Sequence, residues 1–338
     1  MMKALACIKP GYFEYRQMND IDWKPGTTLL RIKRVGVCGT DLHAFEGTQP
    51  FFNYPRILGH ELAAEIVKTD AQGFSENETV TFIPYFSCGK CVACKKGKTN
   101  CCAHIQVCGV HIDGGMAEYF SVPSGLLLHA HNLTMDELAL VEPFSVGAHA
   151  VRRAEIGEND FALIVGAGPI GLATAEMARI AGAKTIIADT NERRLKFCSG
   201  QLGMQHIVNP ASANIIEYLH SLTQGAMPDA VFDATGNLKA INNAFQYIAH
   251  AGKYILVGLQ KEEIRFSHPE FHKREATLMS SRNATKEDFL HVMDCMSKKK
   301  VNAGLYITHR IKFDEVKTRF ADLLDPANAV IKAVIDMQ

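Results

Sequence analysis

Phe161-Ala-Leu-Ile-Val165 is a continuous apolar run that stops at a glycine cluster, Gly166-Ala-Gly168-Pro169-Ile170-Gly171, and Ile170 to Ala181 is rich in good helix formers. Strand, tight turn and helix in that order open a βαβ unit. The same texture continues downstream. Thr185-Ile-Ile-Ala188 reads as a second buried strand, and Ala230-Val-Phe232 and Tyr254-Ile-Leu-Val257 as two more, with a helical stretch from Leu238 to Ala249 between them. Strands alternating with helices predict an α/β fold whose parallel sheet is covered on both faces.

The three glycines have separate tasks. Gly166 permits the tight turn, Gly168 lets a pyrophosphate approach the backbone, and Gly171 allows close helix-to-strand packing. The helix opening at Pro169 and Ile170 offers free N–H groups and a positive dipole end to phosphates. Asp189 stands at the end of the next strand, 18 residues past Gly171. A carboxylate there accepts bonds from the adenosine ribose hydroxyls and repels a 2′-phosphate, which predicts NAD rather than NADP. Arg193 and Arg194 follow closely and could in principle receive a phosphate; Arg194 is counted among the candidate cofactor contacts. Thr235, Val257 and Gly258 lie at strand ends, where ligands bind in such sheets. Ser281, in Ser281-Arg-Asn283, is either a further contact or part of an ordinary connecting turn.

Upstream the pattern differs. From Met2 to about Tyr119 the chain shows short β-like runs broken by turn residues. Thr27 to Val35 ends in alternating apolar and charged residues, as a strand with one wet face does. Glu61 to Val67 and Thr79 to Ile83 read similarly, with Gly59, Gly73 and Pro84 as punctuation. Met135 to Arg153 has a helical look interrupted by Pro143. The tail from about Asn302 is short and mixed, and its pattern assigns it to neither region.

The chain has 338 residues, a length that suggests about two domains. Its 36 basic and 36 acidic side chains cancel, which argues against a nucleic-acid binder, since phosphate-driven association needs a basic surface. The amino terminus, MMKALACIKPGYFEY, does not read as a signal peptide. The most apolar stretch, Phe161 to Ala175, is shorter than the ~20 residues a membrane span requires. Ten cysteines without an export signal point to a reducing compartment, the cytoplasm, where clustered thiols more often bind metal than pair.

Four of those thiols fall in Cys88-x-x-Cys91-x-x-Cys94-x7-Cys102. Tetrahedral zinc held by four thiolates has no open position, so it ties a loop down without doing chemistry. An iron–sulfur cluster is the main rival, and Cys101 could replace Cys102 as the fourth ligand. A second constellation is scattered: Cys38, His60 with Glu61, and Glu142. A soft thiolate, an imidazole and a carboxylate would hold zinc while leaving a position open for substrate.

Gly36-Val-Cys38-Gly-Thr40-Asp-Leu-His43, Gly59-His60-Glu61, the four-cysteine lobe, Glu142-Pro143 and the glycine motif occur in the order seen in zinc-dependent medium-chain dehydrogenases of the alcohol dehydrogenase superfamily, which the whole chain resembles. The resemblance implies a GroES-like β-rich catalytic domain over 1–145 and 285–338, to which the carboxyl-terminal segment returns, and an NAD-binding Rossmann domain over 146–284. It implies two zinc ions per chain, one catalytic and one structural, and a homodimer or homotetramer. Glu142, where many alcohol dehydrogenases place a cysteine, looks like the polyol and threonine dehydrogenase branch. The segments Gly47 to Arg56 and Val107 to Gly115 look most like sugar-acid enzymes such as L-galactonate or L-gulonate 5-dehydrogenases.

On that reading the enzyme moves a hydride from a secondary hydroxyl of a small polyhydroxy substrate to NAD. Cys38 and His60 ligate the catalytic zinc, Glu142 is a third protein ligand, and Glu61 is either an exchanging ligand or a carboxylate behind the ligands. Thr40 and His43 match the positions that carry a proton relay in the family. Arg56 is a candidate cation for a substrate carboxylate. A threonine or other alcohol dehydrogenase is the alternative within the family. A redox-inactive nucleotide sensor is the alternative outside enzymes, and the coexistence of Cys38, His60 and Glu142 argues against it.

Overall fold

The strand Thr27–Val37 is the spine of the first unit. Leu30, Ile32 and Val35 turn into the core while Arg31 faces water, which is the alternation its sequence carries. In this computed structural model, which describes residues 1–50 and 52–337, its neighbours in the sheet are Glu61–Lys68, Tyr119–Pro123 and the carboxyl-terminal strand Lys332–Asp336, all antiparallel to it. Ile307–Lys312 then adds in parallel to Lys332–Asp336. The tail therefore completes the sheet that the amino-terminal half begins. The chain divides into two compact units, Met1–Glu142 with Thr285–Gln338, and Pro143–Ala284.

Register decides what stands beside what in the first unit. Gly36 is paired with Glu61, and Val37 with Ala333, so one end of the sheet gathers the residues just before Cys38, those just after His60, and the start of the last strand. A short helix, Gly39–Glu46, starts at that edge with Cys38 as its N-cap and stops at Gly47, whose φ of 81° suits a residue without a side chain. The four-cysteine segment is a loop closed at its base by an antiparallel pair, Tyr85–Phe86 against Gln106–Val107.

The second unit holds a six-stranded parallel sheet. Its order is His206–Val208, Lys184–Ala188, Phe161–Val165, Ala230–Asp233, Lys253–Leu256, Thr277–Ser280. Counted along the chain this is 3-2-1-4-5-6, the doubly wound order, with its switch point beside the first strand, Phe161–Val165. The four strands legible from apolar runs form the middle of the sheet. The two edge strands carry weaker apolar signals, as partly exposed strands do.

Two expectations change. Helix Met135–Ala154 runs through Pro143 without interruption, and the division between units falls at that proline. Pro143 removes one i→i−4 hydrogen bond and crowds the carbonyl one turn back, and the largely buried helix continues past it. The helix Leu238–Ala244 is shorter than its pattern suggests and tightens into a 3₁₀ turn, Phe245–Tyr247. Among the described residues, no helix is long and apolar enough to cross a membrane.

Candidate functional site

Cys38, His60 and Glu61 offer one sulfur, one nitrogen and one oxygen that lie within 4.8 Å of one another. His60 and Glu61 are buried and Cys38 is half-buried. The sheet register explains the gathering, since Cys38 ends one strand and His60-Glu61 begins its antiparallel neighbour. Asp41, on the first turn of the helix that Cys38 caps, accepts from the backbone N–H of Cys38 at 2.9 Å and of Gly59 at 3.2 Å. This single buried carboxylate ties the two ligand-bearing segments together and places Oδ1 4.0 Å from Nδ1 of His60.

Glu142 sits on helix Met135–Ala154, outside the 4.8 Å group but near enough for its charge to act on His60. The Tyr85 hydroxyl donates to its Oε1. Lys332 comes from the last strand, is 2% exposed, and donates from Nζ to the carbonyl of Val37 at 3.0 Å and to Oε1 of Glu61 at 2.5 Å. Sequence reasoning missed Asp41, Tyr85 and Lys332. Asp41 lies inside the quoted Cys38-to-His43 motif, but nothing local marks Tyr85 or Lys332.

The electrostatics call for a cation. Burial opposes charge on His60, yet Cys38, Asp41 and Glu142 outweigh it and hold the imidazole well above its ordinary range. Burial pushes the carboxyls of Asp41 and Glu142 up. Nδ1 of His60 is buried without a hydrogen-bond partner, and the Lys332 ammonium lies against both carboxylate oxygens of Glu61. An unpaired, buried imidazole nitrogen beside a thiol and two carboxylates is a donor set that fits zinc.

Thr40 is half-buried and His43 is exposed, with its Nδ1 3.3 Å from the Thr48 hydroxyl and 3.4 Å from Glu46. Their spacing puts them on one helix face, running from inside to solvent. Arg56 is engaged by Asp113 at 3.4 Å, while its buried Nε has no partner.

Cys88, Cys91, Cys94 and Cys102 also lie within 4.8 Å of one another. Cys101 is exposed and outside this group, so the geometry favours Cys102 as the fourth thiol. Backbone amides serve the sulfurs: Cys88 and His104 N–H groups point at Cys102 Sγ, and those of Cys94 and Ala103 draw the Cys91 thiol down to about 6. A thiol lowered in this way binds metal as a thiolate, while desolvation pushes the neighbouring Cys94 thiol up to about 11.

In the second unit, Gly166 turns the chain at φ 103° after its strand. A Cβ on Gly171 would lie 1.8 Å from the Gly166 carbonyl oxygen, so only glycine lets the helix Pro169–Ile180 pack there. A Cβ on Gly168 would meet nothing within 4 Å, which leaves open space against the backbone where a pyrophosphate would sit. Asp189 accepts from Ala167 N–H at 2.6 Å and Asn191 N–H at 2.7 Å, with the Arg194 guanidinium 3.8 Å away. Asp233 accepts from the Thr235 hydroxyl at 2.8 Å and shapes the loop to Gly236, whose N–H would lie 2.4 Å from a Cβ on Gly258. Val257 and Gly258 donate their N–H groups to the Asp233 carbonyl. Ser281 Oγ and Asn283 Nδ2 are buried without partners, as groups awaiting a ligand are.

Comparison with known proteins gives the same picture. Residues 24–132 match the alcohol dehydrogenase GroES-like domain, and 169–298 match the zinc-binding dehydrogenase domain. The chain is 42% identical over 336 residues to L-galactonate-5-dehydrogenase of Escherichia coli strain K12, covering 99% of this chain and 98% of that one. It is 30% identical to a sorbitol dehydrogenase of Halalkalibacterium halodurans, over 93% of this chain and 94% of the other. Among solved structures, the alcohol dehydrogenase rspB of Escherichia coli CFT073, complexed with NADH, superposes with a TM-score of 0.92 at 27% identity, covering 99% of both chains.

Proposed function

The chain belongs to the zinc-binding alcohol dehydrogenases with a GroES-like domain, a polyol and sugar-acid dehydrogenase by its relatives, and we propose that it oxidises the hydroxyl of an aldonate next to its terminal CH₂OH, with NAD as acceptor. The observation that carries the substrate class is the identity to an L-galactonate-5-dehydrogenase along essentially the whole chain. L-Galactonate is the first substrate to test, and L-gulonate the second. Threonine and simple polyols are the alternatives within the family.

Cys38 and His60 are assigned as ligands of the catalytic zinc, with Glu61 and Glu142 as the carboxylates available to complete the set, and Cys88, Cys91, Cys94 and Cys102 as those of a structural zinc. When bound, the catalytic zinc supplies a Lewis acid for the substrate hydroxyl and the nicotinamide supplies the hydride acceptor. The protein's own groups do the rest. Asp41 keeps the loop of His60 against the helix of Cys38. The hydroxyl proton leaves through the Thr40 hydroxyl and the exposed His43 imidazole to water. Gly166, Gly168 and Gly171 with Pro169 and Ile170 receive the pyrophosphate, and Asp189 the ribose hydroxyls, while Thr235, Val257, Gly258 and Ser281 line the strand ends that face the nucleotide. A homodimer or homotetramer in the cytoplasm is the assembly and compartment we assign.

A pocket built to bond many hydroxyls leaves polar groups unpaired when a simple alcohol binds, at ~1–3 kcal/mol each. The test is kcat/KM at fixed NAD for L-galactonate, L-gulonate, sorbitol, threonine, 2-propanol and ethanol, with zinc content measured alongside. A preference of several decades for an aldonate over ethanol is expected. Comparable values across the panel would mean an apolar pocket and end the sugar-acid reading.

A further inference from the structure

We propose that the second unit carries a ligand site of its own, apart from the nucleotide-facing strand ends, and that this site takes a small aromatic carboxylate. It is a concave pocket of about 660 Å³, within the size range of small-molecule sites. Helices Ile215–Leu222, Leu238–Ala244 and His268–Lys273 all contribute to it, and every lining residue belongs to the unit Pro143–Ala284. None of the residues assigned to the nucleotide lines it.

The walls are aromatic and partly uncovered. Phe266 stacks on Phe245 with ring centroids 4.6 Å apart and meets Phe271 at 5.0 Å. Phe266 is nevertheless 41% exposed and Ile216 39%, an apolar surface of the kind that marks a ligand groove. Met227 reaches the same pocket from a backbone φ of 68°, in the left-handed region that a methionine rarely adopts. The Thr223 hydroxyl accepts from the Met227 N–H at 2.9 Å and holds that turn. Strain of this sort persists only where the surroundings over-determine it, and ligand sites are a common place for it.

One positive charge remains at the rim. Arg274 is committed, since its guanidinium bonds Glu270 at 2.7 Å and the Ile248 carbonyl at 3.1 Å. Arg265 meets Asn242 only through its backbone N–H, at 2.9 Å, and among the described residues its guanidinium has no hydrogen-bond or ion-pair partner. Glu262 and Glu263 border a neighbouring hollow and form no ion pair with it. A guanidinium fork takes a carboxylate through two parallel hydrogen bonds. The exposed ring of Phe266 and the thioether of Met227 then suit a flat aromatic body on that carboxylate.

Phenylacetate is the probe and its neutral amide, phenylacetamide, the control, each titrated into the full chain saturated with NAD. The readout is the ¹³C-methyl resonance of Met227, identified by its loss in Met227→Leu. A saturable shift with a Kd of about 1 mM or tighter is expected for phenylacetate, and binding at least about tenfold weaker for the amide. Arg265→Gln should weaken phenylacetate by a similar factor while leaving the amide and kcat unchanged. Equal affinity of acid and amide in the wild-type protein overturns the carboxylate assignment, and so does an Arg265→Gln variant that binds phenylacetate normally. No saturable shift up to about 10 mM overturns the site itself, including the case in which a second copy of the chain covers the pocket. A shift that NAD abolishes places the probe in the nucleotide crevice and overturns the proposal too.

Discussion

The hydroxyl of Tyr85 donates to Oε1 of Glu142, joining a short strand at the base of the four-cysteine loop to the middle of helix Met135–Ala154. Both side chains are buried, and burial together with the Glu142 charge raises the Tyr85 phenol well above its ordinary range, so it stays a donor. Partners of this kind behind a metal ligand are worth about 10–100-fold in metal affinity or turnover. Tyr85→Phe should therefore weaken zinc retention at the Cys38 site by about tenfold or more, with the structural zinc untouched. Chelator competition with the two release phases resolved is the measurement. Unchanged retention would remove Tyr85 from the site.

The two metal groups should separate on mutation. Cys91→Ser is expected to lower metal content by one equivalent and reduce the melting temperature, because the loop it closes has little apolar core of its own and a closed thiolate site contributes folding free energy. Cys38→Ser should leave the melting temperature nearly unchanged and abolish turnover. Equal thermal losses with equal residual activity in the two variants would sink the division of roles.

Asp189 should set the choice of nicotinamide. Its carboxylate already accepts two backbone N–H groups, which fixes its direction, and Arg194 stands 3.8 Å away. Asp189→Ser is expected to narrow the gap in kcat/KM between NAD and NADP by at least about a decade, or ~1.4 kcal/mol. If the unmodified enzyme already prefers NADP, the arginines at 193 and 194 are receiving the phosphate.

Acid should erase one tertiary contact selectively. The Arg310 guanidinium bonds Asp136, and Arg34 joins it at 3.3 Å; together they hold the Asp136 carboxyl below its usual range. A depressed carboxylate stabilises the fold fully above its unfolded pKa of ~3.9, and that contribution disappears as pH falls through the lower folded value. The pair is partly exposed, so Asp136→Asn should cost about 1 kcal/mol or less at pH 7. The difference in denaturant midpoint between the two proteins should close below about pH 3. A constant difference from pH 7 to pH 2 would mean that charge is not what Asp136 contributes.

Much of this protein is local chemistry and was readable as such. A GxGxxG turn works because of what three glycines lack, and four cysteines in one loop suit a metal by spacing alone; neither needs a distant partner. Continuous apolar runs likewise announce strands buried on both faces, so the middle of the parallel sheet was legible, while the edge strands His206–Val208 and Thr277–Ser280 were not. The interruption expected at Pro143 did not occur, since one missing N–H is tolerated in a helix packed along its length.

Long-range pairing was decided elsewhere. Glu61 and Lys332 are 271 residues apart, and Tyr85 and Glu142 are 57 apart. A lysine in a mixed tail looks like a solvated charge until the register of Lys332–Asp336 on Thr27–Val37 carries it inward beside a buried carboxylate. Burial, not residue type, gives such a charge its meaning, because it removes the water that would otherwise satisfy it. Sequence alone therefore determined the metal and nucleotide chemistry open to this chain. The tertiary structure decided which side chains stand beside the candidate ligands, since only a closed sheet brings those groups together out of water.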